Sequence, residues 1–335
     1  MNFNTFIGQK RIKGILQDSL KAGKLSHAYS FEGPAGMGKL SLAKVFAAAI
    51  LCHRQEGEAC GECLSCRKLL SGNHPDFTLV SPEKSSLGID GIRNLQEQVI
   101  IKPIESDRKV YIIDQGDKMT TQAQNCLLKT LEEPPLYVTL ILGVSNSNAI
   151  LKTIQSRCTR IKFDIYNDED IKAIISAKGI NKNAVADFAV AFSQGIVGKA
   201  FSIISDDFLG LREQVFDILA GIEQCEIEEL LKISTFFEDN KNFIEDIFDI
   251  IITWYRDIIL SKTLVNGKEL INYDKQGIIL KNVLNYSRDD LIKVIKIVEE
   301  TRKNIKMNIS FQMAIDNMLL SIWEVYNGKS CRSAV

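Results

Sequence analysis

The sequence predicts a chain in two parts, an α/β half built on a parallel sheet and then an all-α half. Three observations predict it. Apolar strand-like runs alternate with helical periods over the first 165 or so residues, the pattern of parallel strands joined by crossover helices. A glycine-rich turn, Gly33-Pro-Ala-Gly36-Met-Gly38-Lys39, follows the first of these runs. All six prolines (34, 75, 82, 103, 134, 135) fall before residue 136, so 200 residues of proline-free, helix-periodic sequence follow.

Taken in order, His27–Glu32 reads as a short strand before the glycine turn, and the Ala- and Leu-rich Lys39–Leu51 as a helix. Asp76–Val80 is a strand, and Ile89–Ile101 a helix that exits at Pro103. Lys109–Asp114 and Tyr137–Gly143 are near-continuous apolar runs, as strands covered on both faces require. Between them Thr120–Glu132 is a helix stopped by Pro134–Pro135, and Ile161–Phe163 is a last short strand. Asn167–Lys178, Asn181–Ser193 and Val197–Ile204 read as three short helices, the first with Asn167 as N-cap and acids in its first turn. Longer helices follow at Phe208–Gln224, Ile227–Phe237, Asn242–Leu260, Asp289–Met307 and Ser310–Tyr326.

The chain's 335 residues exceed one compact core, since domains average about 100–200 residues. With 45% hydrophobic and 25% charged residues it is neither disordered nor fibrous. No uncharged apolar run is long enough to span a bilayer, and residues 1–16 lack the apolar core of a secretory signal, so a cytoplasmic protein is expected. The net charge of -1 excludes a globally basic nucleic-acid binder; residues 1–165 carry +5 (21 basic, 16 acidic) and the rest -6 (20 and 26).

Four of the eight cysteines crowd together as Cys52, Cys60, Cys63 and Cys66, spaced C-x7-C-x2-C-x2-C. The others are scattered at 126, 158, 225 and 331. Two-residue gaps turn successive thiolates toward one centre, and four thiolates close a tetrahedral Zn²⁺ site with no position left for a reacting water. That zinc would be structural. An iron–sulfur cluster is the alternative for the same donor set.

Gly33 to Lys39 fits GxxxxGK between a strand and a helix, the context of a phosphate loop. Its backbone N–H groups and lysine suit the phosphates of ATP or ADP. The next residue should carry a hydroxyl for Mg²⁺, yet it is Leu40; Ser41 comes one residue late, about 100° round the helix. Asp114 ends the acidic strand and could hold Mg²⁺ through water. The neighbouring glutamate that would orient an attacking water is replaced by Gln115. Two separate parts of a hydrolytic apparatus are missing, and the candidate nucleotide residues Gly33, Gly36, Gly38, Lys39 and Asp114 remain. The competing reading is an active ATPase that uses Asp117 instead. Arg157, in Ser156-Arg-Cys158, is either a surface charge or an arginine finger serving a neighbour's γ-phosphate.

Phe6-Ile-Gly-Gln9, His27-Ala-Tyr29, Phe31-Glu-Gly-Pro34, the four-cysteine insertion, Asn125-Cys-Leu-Leu-Lys-Thr-Leu-Glu-Glu-Pro-Pro135 and Ser156-Arg-Cys158 together resemble the bacterial sliding-clamp loader ATPases of the AAA+ class. The likeness is dense to residue 165, continues through Gly195-Ile-Val-Gly198-Lys199-Ala, and thins toward Asn308 and Met313–Leu320. It implies an AAA+ domain at 1–164 with a zinc module at about 52–66, a three-helix lid at 165–206, and an all-α oligomerisation collar at 207–335. It further implies that Arg157 is a finger in trans, that Lys199 stands where active relatives carry a sensor arginine, and that Ser145 or Asn146 is the polar residue ending the sensor strand. Leu40 and Gln115 set the chain apart from the family's motor subunits (gamma/tau). The implied partners are those motors and the delta subunit in a hetero-oligomeric ring, with the sliding clamp and primed DNA met through the complex. A zinc-bearing DNA-binding module is a third reading, weakened by Glu56, Glu58 and Glu62 around the cysteines.

Overall fold

A computed structural model describes residues 2–327 except 55, 83–84, 181–182, 223–224, 264–269, 284–285 and 308. Asn308 and Cys331 therefore lie outside the described residues. The chain gathers into two compact units, Met1–Gly179 with Gln194–Lys199, and Ile180–Ser193 with Ala200–Val335.

The first unit begins with α1 (Lys10–Lys21), which buries Ile12 and Leu16. Five parallel strands follow: β1 (Ala28–Glu32), β2 (Phe77–Val80), β3 (Lys109–Ile113), β4 (Val138–Val144) and β5 (Thr159–Lys162). Their order across the sheet is β2-β3-β4-β1-β5. β1, β3 and β4 are buried at every residue, which is why they read as unbroken apolar runs. β5 is an edge strand that buries only Ile161. The linking helices are α2 (Lys39–Leu51), α3 (Leu64–Leu70), α4 (Ile89–Ile100), α5 (Thr121–Glu132) and α6 (Lys152–Gln155). Thr120 caps α5 by accepting from the Ala123 N–H, one of the orphan donors at a helix start. Phe31 and Tyr29 of β1 both pack on Phe46 of α2, fixing the helix that opens from the glycine turn. This is the phosphate-loop α/β architecture expected from the sequence, a parallel sheet with the glycine turn after its first strand, and the four-cysteine module lies between α2 and β2.

After β5 come α7 (Asp168–Ala177), α8 (Asn183–Ser193) and α9 (Val197–Ile203). α7 belongs to the first unit, α8 to the second, and α9 begins in the first and ends in the second. The second unit is otherwise α10 (Asp206–Gly221), α11 (Ile227–Asp239), α12 (Ile244–Thr263), α13 (Gln276–Asn282), α14 (Arg288–Lys306) and α15 (Phe311–Asn327). α12 runs through its core and buries Phe248, Trp254, Tyr255 and Ile258. The Trp254 ring meets Phe216 of α10 at 4.7 Å. Arg212 is buried between the Phe188 and Phe216 rings and pairs with Asp274 at 2.7 Å, so its charge is both stacked and compensated. Among the described residues no helix is long and apolar enough to cross a membrane.

Candidate functional site: a phosphate loop, a finger turn and a cysteine knuckle

The phosphate loop leaves β1 at Glu32, whose carboxylate is buried and takes two 2.7 Å bonds from the Arg160 guanidinium on β5. That pairing holds the Glu32 carboxyl below its usual range and fixes the strand end from which the loop departs. Gly36 and Gly38 adopt φ near +79° and +78°, open to glycine at little cost. A hollow beside the loop is lined by Lys39, Leu40, Ser41, Asp114, Gln115 and Ser145, among others. Asp114 and Lys39 thus line one hollow.

The lysine is turned onto its own loop. Its Nζ donates to the carbonyls of Gly33 (2.6 Å) and Pro34 (2.7 Å) and to Ser145 Oγ (3.0 Å). Burial lowers its pKa, opposed by the charges of Asp117 and Asp114. Of the two candidates for the polar strand end, Ser145 is the one that reaches the lysine; Asn146 instead accepts from the Asn148 N–H. Leu40 brings an alkyl group where the Mg²⁺ hydroxyl would stand. Ser41 also borders the hollow, because the first turn of α2 opens into it, so it is less averted than its 100° offset suggested. Gln115 sits at φ +50°, turning the chain so that Asp117 Oδ1 accepts from the Ser145 N–H at 2.8 Å. Asp117 is thereby engaged in joining the end of β4 to the turn after β3.

A contact that no local signal announced closes the loop from behind. The Gly198 N–H donates to Gly36 O at 2.8 Å, and a Cβ on Gly198 would lie 2.6 Å from Gly36 Cα. Gly198, one residue before Lys199, meets the loop through its backbone. Tyr166 packs on Gly8 and donates its hydroxyl to Met37 O at 3.3 Å. Burial pushes that phenol up to about 12, so it stays a neutral donor.

Arg157 lies between α6 and β5, just before the start of β5, whereas the phosphate loop leaves the end of β5's parallel neighbour β1. Cys158 beside it is buried, and burial pushes its thiol up to about 12; it anchors the turn as an apolar residue. The side chain of Gln124, also buried, donates to Met119 O and Ala149 O and accepts from the Leu151 N–H, tying α5 to the start of α6. Arg157 Nη1 donates to Thr153 O at 2.9 Å, and Nη2 pairs with Glu132 Oε1 at 2.9 Å. The arginine side chain is about one-third exposed. Sequence reasoning misses Gln124 and Glu132 as site residues because the partners that tie them to the Arg157 turn, Ala149, Leu151 and Arg157, lie about 25 residues away.

The four cysteines converge. Their Sγ atoms all lie within 4.8 Å of one another, with Cys60 and Cys66 at 4.0 Å. Sulfurs about 2.3 Å from one ion in a tetrahedron would sit roughly 3.8 Å apart, so the donor set fits a single metal ion. Backbone N–H groups of Cys60, Cys63 and Cys66 point at the Cys52, Cys60 and Cys63 sulfurs, at 3.4, 3.3 and 3.4 Å, which stabilises thiolate charge. Behind the knuckle, Ser65 Oγ donates to Leu51 O (2.6 Å) and lies 2.9 Å from His74 Nε2, while His74 Nδ1 accepts from the Asp76 N–H. These bonds brace the residues next to Cys52 and Cys66 against the sheet. Trp254, Tyr255 and Phe237 are fully buried and offer no platform for stacking bases.

A phosphate loop on a parallel sheet, followed by a helical unit, defines a phosphate-loop protein of α/β and all-α parts. Two family models match the chain, "DNA polymerase III, delta subunit" over residues 8–167 and "DNA polymerase III, delta subunit, C terminal" over 206–324. DNA polymerase III subunit delta' of Bacillus subtilis is 30% identical over 320 residues, 94% of this chain and 96% of that protein. DNA polymerase III subunit tau of the same organism is 35% identical over 220 residues, 65% of this chain but 34% of that protein. A gamma subunit-related protein of Thermotoga maritima aligns in structure over 93% of this chain and 99% of its own, at 18% identity and a TM-score of 0.42. The chain belongs to the delta-prime family of DNA polymerase III clamp-loader subunits.

Proposed function

We propose that this chain acts in the clamp loader as a subunit that does not turn over ATP itself and lends Arg157 to a neighbouring motor. The observation that carries this reading is a contrast in chemistry within one unit. Leu40 and Gln115 remove the Mg²⁺ hydroxyl and the water-orienting carboxylate, while Arg157 keeps a braced, solvent-facing turn. Gly33, Gly36, Gly38, Lys39 and Asp114 form a degenerate site in which ATP or ADP binds weakly if at all, since Lys39 is already satisfied by its own loop. The neighbour is a gamma/tau motor, with the delta subunit elsewhere in the ring; residues 1–164, 165–206 and 207–335 serve as ATPase-like domain, lid and oligomerisation collar. ATP binding in the motors opens the sliding clamp and grips primed DNA, and hydrolysis releases both. A finger that stabilises transition-state charge only when docked makes turnover depend on correct assembly. Cys52, Cys60, Cys63 and Cys66 hold one structural Zn²⁺.

The test is ATPase on and off the complex. The pure chain should show negligible Mg²⁺-dependent turnover, and robust turnover would overturn the reading. Elemental analysis should find one zinc per chain; iron with acid-labile sulfide would replace zinc by a cluster.

A further inference from the structure

We infer that Glu132 is a positioning residue for Arg157, holding the guanidinium ready at the surface for a neighbour's terminal phosphate. This rests on the finger reading above. Glu132 is the last residue of α5, just before Pro134–Pro135. A carboxylate there faces the negative end of the helix dipole, where bases are favoured, so its placement does not serve α5. What it does reach is Arg157 Nη2, at 2.9 Å.

The grip leaves the finger usable. A guanidinium has five N–H donors. Thr153 O takes one from Nη1, and the Glu132 carboxylate stands against Nη2 as an ion pair at 2.9 Å, occupying that side of the fork. Nε–H and one donor on each Nη remain, enough for paired bonds to phosphate oxygens. The backbone beneath is fixed as well, by the Arg157 N–H on Ile154 O at 3.1 Å and by buried Cys158. With the glutamate and arginine side chains half and one-third exposed, such a pair adds little to stability. Its effect is to select one rotamer set of a long, flexible side chain, whose ordering would otherwise fall on the docking step.

The experiment reconstitutes the whole loader with wild-type chain, Glu132→Gln, Glu132→Asp, Arg157→Ala and the Glu132→Gln/Arg157→Ala double variant. It measures kcat and KM for ATP and the thermal midpoint of each chain. Glu132→Gln should lower kcat by roughly 3–10-fold, leave KM within about twofold and leave the midpoint unchanged. Glu132→Asp should recover part of the rate, and Glu132→Gln should add nothing once Arg157 is alanine. An unchanged or faster rate in Glu132→Gln, beside a slow Arg157→Ala, overturns the inference and leaves the finger reading standing. So does an equal loss in the Arg157→Ala background, which would place Glu132 outside the arginine's action. A normal rate in Arg157→Ala overturns both.

Discussion

Two turns of the first unit carry residues suited to phosphate, and they differ in what supports them. At the phosphate loop the backbone is intact, with glycines at positive φ and a lysine in place, but the side chains that would cooperate with it are gone or engaged. Lys39 bonds its own loop, Asp117 bonds the Ser145 N–H, and Gly198 sits on Gly36. At the Arg157 turn every support is present: Gln124 fixes the approach, Cys158 anchors the exit, and Glu132 meets the guanidinium. A loop whose lysine is already satisfied internally gains less from nucleotide. An arginine with three free donors at the surface gains much from a phosphate. On the proposed reading, the contrast separates a site kept for folding from one kept for a neighbour.

The largest test of that contrast is Arg157→Ala in the assembled loader. Removing an arginine finger should slow the facing site on the order of 10³-fold while leaving the chain folded, read by ATPase and circular dichroism.

Next is the knuckle. Cys66→Ser should abolish stoichiometric metal and destabilise the first unit by several kcal/mol, since structural metal binding is folding free energy; metal analysis and the thermal midpoint check it. The Ser65–His74 brace should keep the sheet folded, so far-UV circular dichroism should change little.

Smaller is Gly198→Ala. The new Cβ would meet Gly36 Cα at 2.6 Å, so the loop and its lid segment must part at a cost of about 1–3 kcal/mol. If the loop serves the fold, that loss appears in denaturant unfolding of the lone chain.

Smallest of the stability effects is Glu32→Gln, about 1–2 kcal/mol near neutral pH for charge-assisted bonds to a half-exposed partner. Glu32 has a lowered folded pKa. Its contribution is therefore present above the unfolded value of about 4.3 and is lost as pH falls through the lower folded value. The variant should flatten that acid limb of the stability curve.

Much of the fold was legible because burial on both faces writes itself as continuous apolar sequence, as in β1, β3 and β4. β5 was read as Ile161–Phe163 but spans Thr159–Lys162, because an edge strand exposes all but one of its residues. Four helices escaped. α1 begins after Gln9 in the left-handed region with no side-chain cap, so it lacks a start signal. α3 starts inside the knuckle, capped by the Cys63 thiol, and α6 and α13 have only four and seven residues. The cysteine quartet was legible from spacing because its members are near in sequence. Glu32–Arg160, Gln124–Ala149 and Gly36–Gly198 were not, since partners 25 to 162 residues apart leave no periodic trace.

The most direct measurement of the central claim compares two single variants in the reconstituted loader, Arg157→Ala and Lys39→Ala, by clamp-dependent ATP turnover. A chain that lends a finger and uses no nucleotide of its own predicts a severe loss for Arg157→Ala and a rate within about twofold of wild type for Lys39→Ala. A severe loss for Lys39→Ala with Arg157→Ala near wild type would contradict it.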